Sequence, residues 1–304
     1  MHKVDYPLVS IIIVTFNSAK YVNETLDSVK SQSWNNIDLI ITDDCSTDDT
    51  VKICTDWIKD NSRFFTNVQL STYSHNSGIP ANCNRGLRLA KGDWIKMIAG
   101  DDMLLPNCIS YNLEFANNND AKFIVSDVIM INDAGEKIEM NGVNEGLRFF
   151  VNIKSAKKQL KSYSRWPAFI NSPTFFCKSE IIDHINYCDE EFRIYDDMTV
   201  IFRITEMGIR IYYMNKPTII YRLHKNAVSR NKNLESAREK EAQRIFRKYR
   251  TRNLSYFNPI DLSVYYESWL RFKYKGIFGF RGFSVLRKLS LFYWYLRFKG
   301  IKSY

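Results

Sequence analysis

Four pairs of adjacent aspartates punctuate this sequence: Asp43–Asp44 and Asp48–Asp49 in "IITDDCSTDDT", Asp101–Asp102 in "WIKMIAGDDML", and Asp196–Asp197 in "YDDMTVIFRI". Neighbouring carboxylates repel, and the repulsion is worst where an apolar run ends on them. Asp48 and Asp49 have an ordinary explanation, since each can cap or favour the start of the helix that follows. Asp101 and Asp102 follow a strand-like run and open no obvious helix. A divalent cation would remove their repulsion. Mg²⁺ or Mn²⁺ binds through one or two carboxylates with substrate phosphates completing the shell, so a diphosphate-bearing substrate is the natural partner. Asp196 and Asp197 allow two readings, the start of a helix or a general base.

The elements that must hold these acids are legible in the pattern. "LVSIIIVTF" is a continuous β-branched run, as expected of a central parallel strand covered on both faces. A helical spacing follows (Tyr21, Val22, Leu26, Val29), then the strand "IDLIITDD", the helix "TDDTVKICTDWIKD" and the strand "NVQLSTYS". The loop and helix "NSGIPANCNRGLRLAKG" lead to a fourth strand, "DWIKMIAG". This β-α-β-α-β-α-β order predicts an open, doubly wound, mainly parallel α/β sheet. Ligands bind such sheets outside the carboxyl ends of the strands, which is where Asp43, Asp44, Asp101 and Asp102 fall. Beyond residue 121 the order loosens: "KFIVSDVIMIN" and "IRIYYMNKPTIIYRLH" read as strands, "YDDMTVIFRITEMG" as a helix. No G-x-x-x-x-G-K-[ST] loop is present, and "TFNSAKY" stands where a dinucleotide-binding G-x-G-x-x-G would be.

Several stretches in order, "VSIIIVTFN", "IITDDCSTDDT", "NSGIPANCNRGLRLAKGDWIKMIAGDD", "YDDMTVIFRI" and "YRLHKNAVS", resemble glycosyltransferase family 2, the inverting enzymes with a GT-A (Rossmann-like) fold. The resemblance covers about residues 7–230. It implies that Thr15 and Asn17 lie near the nucleotide and that Asp44 accepts a hydrogen bond from the base, a role suited to uracil. By the same resemblance Asp101 matches the last aspartate of the D-x-D element and binds the metal, with Asp102 and His224 as further candidate ligands. Asp197 matches the family's catalytic base, with Asp196 beside it. Trp166, Asn171 and Ser172 fall where acceptor contacts are expected. Two positions depart from the pattern. Ala99 stands where D-x-D begins with an acid, and Cys83 where many members carry a basic residue. Arg85 either supplies that missing charge against phosphate or is a solvated helix arginine.

Charge divides the 304-residue chain. Its net charge is +10, yet residues 230–304 hold 18 Lys/Arg against 5 Asp/Glu (+13), while 1–229 hold 25 against 28 (−3). The expected organisation is a catalytic domain, 1–229, with a basic, aromatic, helical tail, 230–304. In "FSVLRKLSLFYWYLRF" a helical wheel puts Val285, Leu289, Phe292, Tyr293 and Leu296 on one side and Arg287, Lys288 and Arg297 on the other. That pattern suits a helix lying in an anionic membrane surface, and equally a tail packing its apolar face on the body. Basic and aromatic residues also suit nucleic acid, but no recognisable motif supports it and none is expected.

No apolar stretch backs the opening "MHKVDYP" as a secretory leader would require, and no run is long enough to span a bilayer. Six cysteines without C-x-x-C spacing point to buried free thiols in a reducing compartment. The resemblance then implies a cytoplasmic enzyme at the inner face of the membrane. It would use Mn²⁺ or Mg²⁺ and move a sugar from a nucleotide donor, UDP-linked by preference, to a lipid-diphosphate-linked saccharide in O-antigen or polysaccharide assembly. Two rivals stand beside it. A sugar nucleotidyltransferase would need a Gly-rich loop with Arg after the first strand, and a non-catalytic adaptor would carry a disabled scaffold.

Overall fold

The computed structural model describes residues 6–138, 145–168, 170, 172–225, 227–228, 231–274, 282 and 284–301. By contact density the chain divides into two compact units, 1–140 with 170–230, and 141–169 with 231–304. The segment 141–169, expected in the catalytic body, therefore belongs with the basic tail. The division also sharpens the charge asymmetry. The first unit carries 20 basic and 27 acidic residues (−7), and the second 23 and 6 (+17).

In the first unit, strands β1 (Val9–Thr15), β2 (Ile37–Asp43), β3 (Asn67–Thr72) and β4 (Trp94–Ala99) run parallel in the order β3-β2-β1-β4. Helices α1 (Val22–Lys30), α2 (Thr50–Asn61) and α3 (Ile79–Leu89) connect them. Both faces of β1 are covered, which is why its sequence lacks alternation. Ile11 and Ile13 join Val22, Leu26 and Trp57 in one cluster. Ile12 faces α3 on the other side. There Gly86 comes so close that a Cβ would stand 2.4 Å from the Ile12 Cγ2. The sheet continues through β7 (Phe176–Lys178), β6 (Phe123–Asn132), β8 (Tyr212–Leu223) and the short β5 (Met103–Leu104). β7 and β5 are antiparallel insertions, while β6 and β8 restore the parallel direction. Register places Thr15 opposite Asp43, and Val14 opposite Ala99, so β1, β2 and β4 end level. The remaining helices of this unit are α4 (Cys108–Asn119), α7 (Ser179–His184) and α8 (Asp197–Glu206). All six cysteines are free, five of them buried.

The second unit is helical among its described residues: α5 (Glu145–Val151), α6 (Ala156–Arg165), α9 (Glu235–Ile245), α10 (Pro259–Trp269) and α11 (Leu291–Phe298). Its core gathers Phe246, Leu254, Val264, Phe292, Leu296 and Ile301. Asp261, fully buried, binds the ammonium of Lys161, Arg165 Nε at 2.7 Å and the Ser255 amide at 2.9 Å. The single amphipathic helix expected through 283–298 is broken. The chain turns at Lys288–Ser290, and the Ser290 hydroxyl caps α11 by accepting from the Phe292 and Tyr293 amides. Arg287, expected on a solvated face, is buried and donates to Glu267 at 2.6 Å. Phe292 and Leu296 lie in the core, whereas Val285 and Leu289 are exposed. The helical wheel failed because a local serine cap and a buried ion pair outweighed continuous helical periodicity. Among the described residues, no helix is long and apolar enough to cross a membrane.

Candidate active site

The level ends of β1 and β2 build the first corner. Thr15 is buried and donates to Asp43 Oδ2 at 2.8 Å, and Asp43 also accepts from the Ser46 amide at 2.8 Å. Asn17 adopts φ +51°, and its side-chain oxygen accepts from the Thr47 amide at 2.8 Å while its own amide donates to Ser46 Oγ at 2.8 Å. Asp48 accepts from the Thr50 and Ala19 amides, both at 3.1 Å, so it ties the first loop to the start of α2. Thr15 and Asn17, expected beside the nucleotide, thus fix the shape of the corner. Phe16 between them is left half exposed.

Asp44 lies buried behind this corner. Its Oδ1 accepts from Ser77 Oγ at 2.7 Å and Arg85 Nη2 at 2.6 Å, and its Oδ2 accepts from the Gly78 amide at 2.8 Å. The Ser77 amide is shared between both oxygens at 3.0 Å. Burial pushes the carboxyl up, but the bonds from Ser77, Arg85 and Gly78 outweigh it and hold Asp44 below the usual range. A carboxylate has about four acceptor sites, and protein donors fill them here. The expected base contact would therefore have to share one. Arg85 is largely buried, so it is not a solvated helix arginine. Its guanidinium closes an ion pair with Asp44 and lies 4.5 Å from the Tyr73 ring centre.

The second corner gathers the ends of β4 and β8. Asp101 Oδ2 stands 2.8 Å from His224 Nε2, both side chains reachable by solvent. Asp102, expected as a second ligand, goes the other way. It is 1% exposed, its Oδ1 accepts the Arg222 amide at 2.8 Å, and its Oδ2 is buried with no hydrogen-bond partner. Burial, reinforced by the charge of Asp101, pushes Asp102 well above the ordinary carboxylate range. Burial thus disfavours charge on Asp102, which lessens its repulsion with Asp101. Arg222 reaches Glu24 at 2.7 Å and the Asp101 carbonyl at 3.2 Å, with its guanidinium 4.7 Å from the Tyr21 ring centre. The Tyr21 ring also lies 5.0 Å from His224, and its hydroxyl is held by Asp133. Gly100 lets this turn press on β1, since a Cβ there would stand 2.8 Å from the Thr15 methyl.

No group of three or more His, Cys, Asp or Glu among the described residues forms a closed metal cage. Asp101 and His224 nevertheless suit a divalent cation of the kind that keeps water and takes phosphate oxygens as its other ligands. Their donor atoms are close enough to share one ion and open on the solvent side.

The third group is Asp196–Asp197 at the start of α8. Asp196 is buried, and burial raises its pKa. Asp197 is half-buried, and burial, followed by the charge of Asp196, pushes it up to about 8. The loop before them rests on the loop holding Asp44. The Arg193 carbonyl accepts from the Ile79 amide at 2.9 Å, and Arg193 Nη2 reaches Asn76 at 3.0 Å. Gly78, at φ +98°, makes the approach possible, because a Cβ would stand 2.9 Å from the Arg193 carbonyl oxygen. Trp166 belongs to the second unit, where its ring covers Gly146. Asn171 lies outside the described residues. The residues not anticipated are Phe16 and Tyr73, large exposed rings at or just beyond the carboxyl ends of β1 and β3. An aromatic ring left in water at a strand's carboxyl end is the signal that could have flagged them.

A mainly parallel sheet with acids from several strand ends on one edge is the architecture of a GT-A glycosyltransferase. The solved structures agree. Staphylococcus aureus TarS in complex with UDP-GlcNAc superposes with a TM-score of 0.63 at 17% identity, over 93% of this chain and 76% of that one. The mannosyltransferase PcManGT from Pyrobaculum calidifontis, in complex with GDP-Man and Mn²⁺, gives 0.59 at 16% identity, over 98% and 84%. In sequence, an uncharacterised glycosyltransferase of Rickettsia typhi is 28% identical over 239 residues, covering 78% of this chain and 70% of the relative. Glycosyltransferase GlyG of Streptococcus pneumoniae is 22% identical over 231 residues, 73% of each chain. The family described as "Glycosyl transferase family 2" matches residues 10–184, and the chain belongs to it.

Proposed function

We propose that this protein is a metal-dependent, inverting glycosyltransferase that moves a sugar from a nucleotide donor to the hydroxyl of a lipid-diphosphate-linked saccharide in bacterial surface-polysaccharide assembly. The observation that carries the reading is the Asp101–His224 pair. Residues 123 positions apart present a carboxylate oxygen and an imidazole nitrogen 2.8 Å from each other on the open edge of the sheet. UDP is the donor nucleotide favoured by this reading, with its base at the Asp44 corner, the Phe16 ring as a stacking surface, and its diphosphate extending toward Asp101. Relatives with nucleotide sugars in their structures and bacterial glycosyltransferases in their sequences support the class of donor.

Asp101 and His224 would hold Mn²⁺ or Mg²⁺, which when bound neutralises the charge gathering on the departing diphosphate. The acceptor hydroxyl attacks the anomeric carbon from the face opposite the leaving group, which inverts that centre. Its proton passes to a carboxylate oxygen of Asp197, a transfer that contributes on the order of 10²–10⁴-fold. Burial beside Asp196 makes Asp197 a stronger base than an exposed aspartate. Such an acceptor lies at the cytoplasmic face of the membrane, which gives the enzyme a peripheral location there.

The test is a panel of nucleotide sugars offered with synthetic lipid-diphosphate acceptors, with Mn²⁺, with Mg²⁺ and with EDTA. The reading requires one donor to be transferred with inversion and EDTA to stop it. Transfer indifferent to both EDTA and Asp101→Ala would remove the metal from the account.

A further inference from the structure

Helix α11 is apolar on two sides. Phe292 and Leu296, 3% and 2% exposed, fill the core of the second unit. At i, i+3 and i+7, Leu291, Trp294 and Phe298 form a second stripe that is 56%, 58% and 85% exposed. With 100° per residue, the two stripes point about 150° apart. A helix packed on one side in water ordinarily turns a polar face outward, and this one turns out an indole and a phenyl ring. Helix α10 repeats the theme. Leu262 and Trp269, at i and i+7, are exposed, while Val264 is buried in the same core. Arg297 and Lys299 flank the stripe on α11, and the unit that carries it has a balance of +17.

We infer that the Leu291–Trp294–Phe298 stripe is the membrane-contacting surface of this protein and that its partner is an anionic bilayer. Three properties select that partner. Tryptophan favours the headgroup boundary of a bilayer, and leucine and phenylalanine on the apolar face of an interfacial helix bury just beneath it. An eight-residue helix, about 12 Å long, is too short to span but suited to lying in that boundary. The positive unit gains from each nearby anionic headgroup, whereas pairing this face with a second copy would bring two +17 units together. This surface is nearly opposite the face that the sequence alone suggested, because Phe292 and Leu296 are already used inside. The inference rests on the function proposed above only for the setting, a membrane carrying the acceptor.

The test is flotation of the full-length protein with vesicles of phosphatidylcholine alone and with about 30% phosphatidylglycerol, which adds a negative surface potential. The wild type should float with the anionic vesicles and leave them in high salt. Leu291→Ser with Phe298→Ser should reduce the bound fraction about tenfold. Phe298→Trp should retain binding. Circular dichroism and transfer to a soluble acceptor analogue should be the same for wild type and double variant. Undiminished flotation of the folded double variant overturns the inference, as does equal binding to neutral vesicles. A wild-type dimer in light scattering that the double variant abolishes overturns it in favour of self-association. Should the double variant fail to fold, Phe298→Ser alone, at the most exposed position of the stripe, should still lower the bound fraction, and an unchanged fraction overturns the inference. A wild type that transfers sugar but fails to bind anionic vesicles defeats this inference alone, and a wild type that binds them without any sugar transfer defeats the proposed function alone.

Discussion

The two units solve opposite problems. The first has a balance of −7, hides its branched apolar residues under helices on both faces of β1, and leaves its polar chemistry at the strand ends. The second has a balance of +17 and a small helical core, and it exposes nine of the fifteen large apolar side chains found exposed among the described residues, with about a third of the chain. A sheet that stabilises itself can afford destabilising acids where the substrate sits. By the inference above, the small helical unit turns its aromatic face outward for attachment to a membrane. Catalysis and placement are therefore expected to be separable by mutation.

The largest effect should come from Asp197→Asn, which removes the proton acceptor and should lower kcat on the order of 10²–10⁴-fold. Donor affinity by calorimetry and vesicle flotation should both stay at wild-type values. Next is Asp101→Ala, with kcat/KM expected to fall on the order of 10²–10³-fold and the Mn²⁺ titration to lose its saturation. If manganese still saturated that variant normally, the ligand assignment would be wrong. In the second unit, Asp261→Asn leaves Lys161 and Arg165 without their buried partner and should cost about 3–5 kcal/mol in denaturant unfolding. Any change in kcat for the still-folded fraction would contradict the separation of roles. The smallest effect is a shift in a pH profile. Asp197 is protonated below its pKa of about 8, so kcat/KM should rise with pH up to that region and then level. Asp196→Asn removes the neighbouring charge but leaves the burial, so the rising limb should move partway toward lower pH. An unmoved limb would mean that another group sets it.

How far the sequence could be read depended on how local the decisive contacts were. β1 was legible because burial on both faces writes itself as an unbroken run, and the level strand ends followed from the parallel order. β7 was legible only in part: "PTFFCKSEIIDHI" reads as a strand or turn feeding a short helix, but the reversal of three residues between β4 and β6 carries no periodic signal. The acids at 101–102 could be located, and the resemblance put the metal on Asp101 first, but nothing nearby in the chain removed Asp102 from the candidate ligands. What separates them is the Arg222 amide and His224, which arrive from β8 about 120 residues later. The Arg85 ion pair could not be foreseen for the same reason, as its partner Asp44 sits 41 residues earlier, just beyond the end of β2. In the tail, composition announced the aromatic and basic character, but which side faced inward depended on Ser290 and Glu267, two polar residues the helical wheel could not weigh.

The bare backbone at Gly100 bears on any attempt to redesign donor choice. With 2.8 Å between a hypothetical Cβ and the Thr15 methyl, the turn that presents Asp101 leans directly on the strand end beside the nucleotide corner. If donor and cation bind as proposed, enlarging Thr15 to reshape the donor pocket would push on the turn that carries Asp101 as well. Variants selected for a new sugar nucleotide by changes at that strand end should therefore tend to arrive with altered divalent-ion preference, and libraries are better aimed at the Tyr73 side of the cleft.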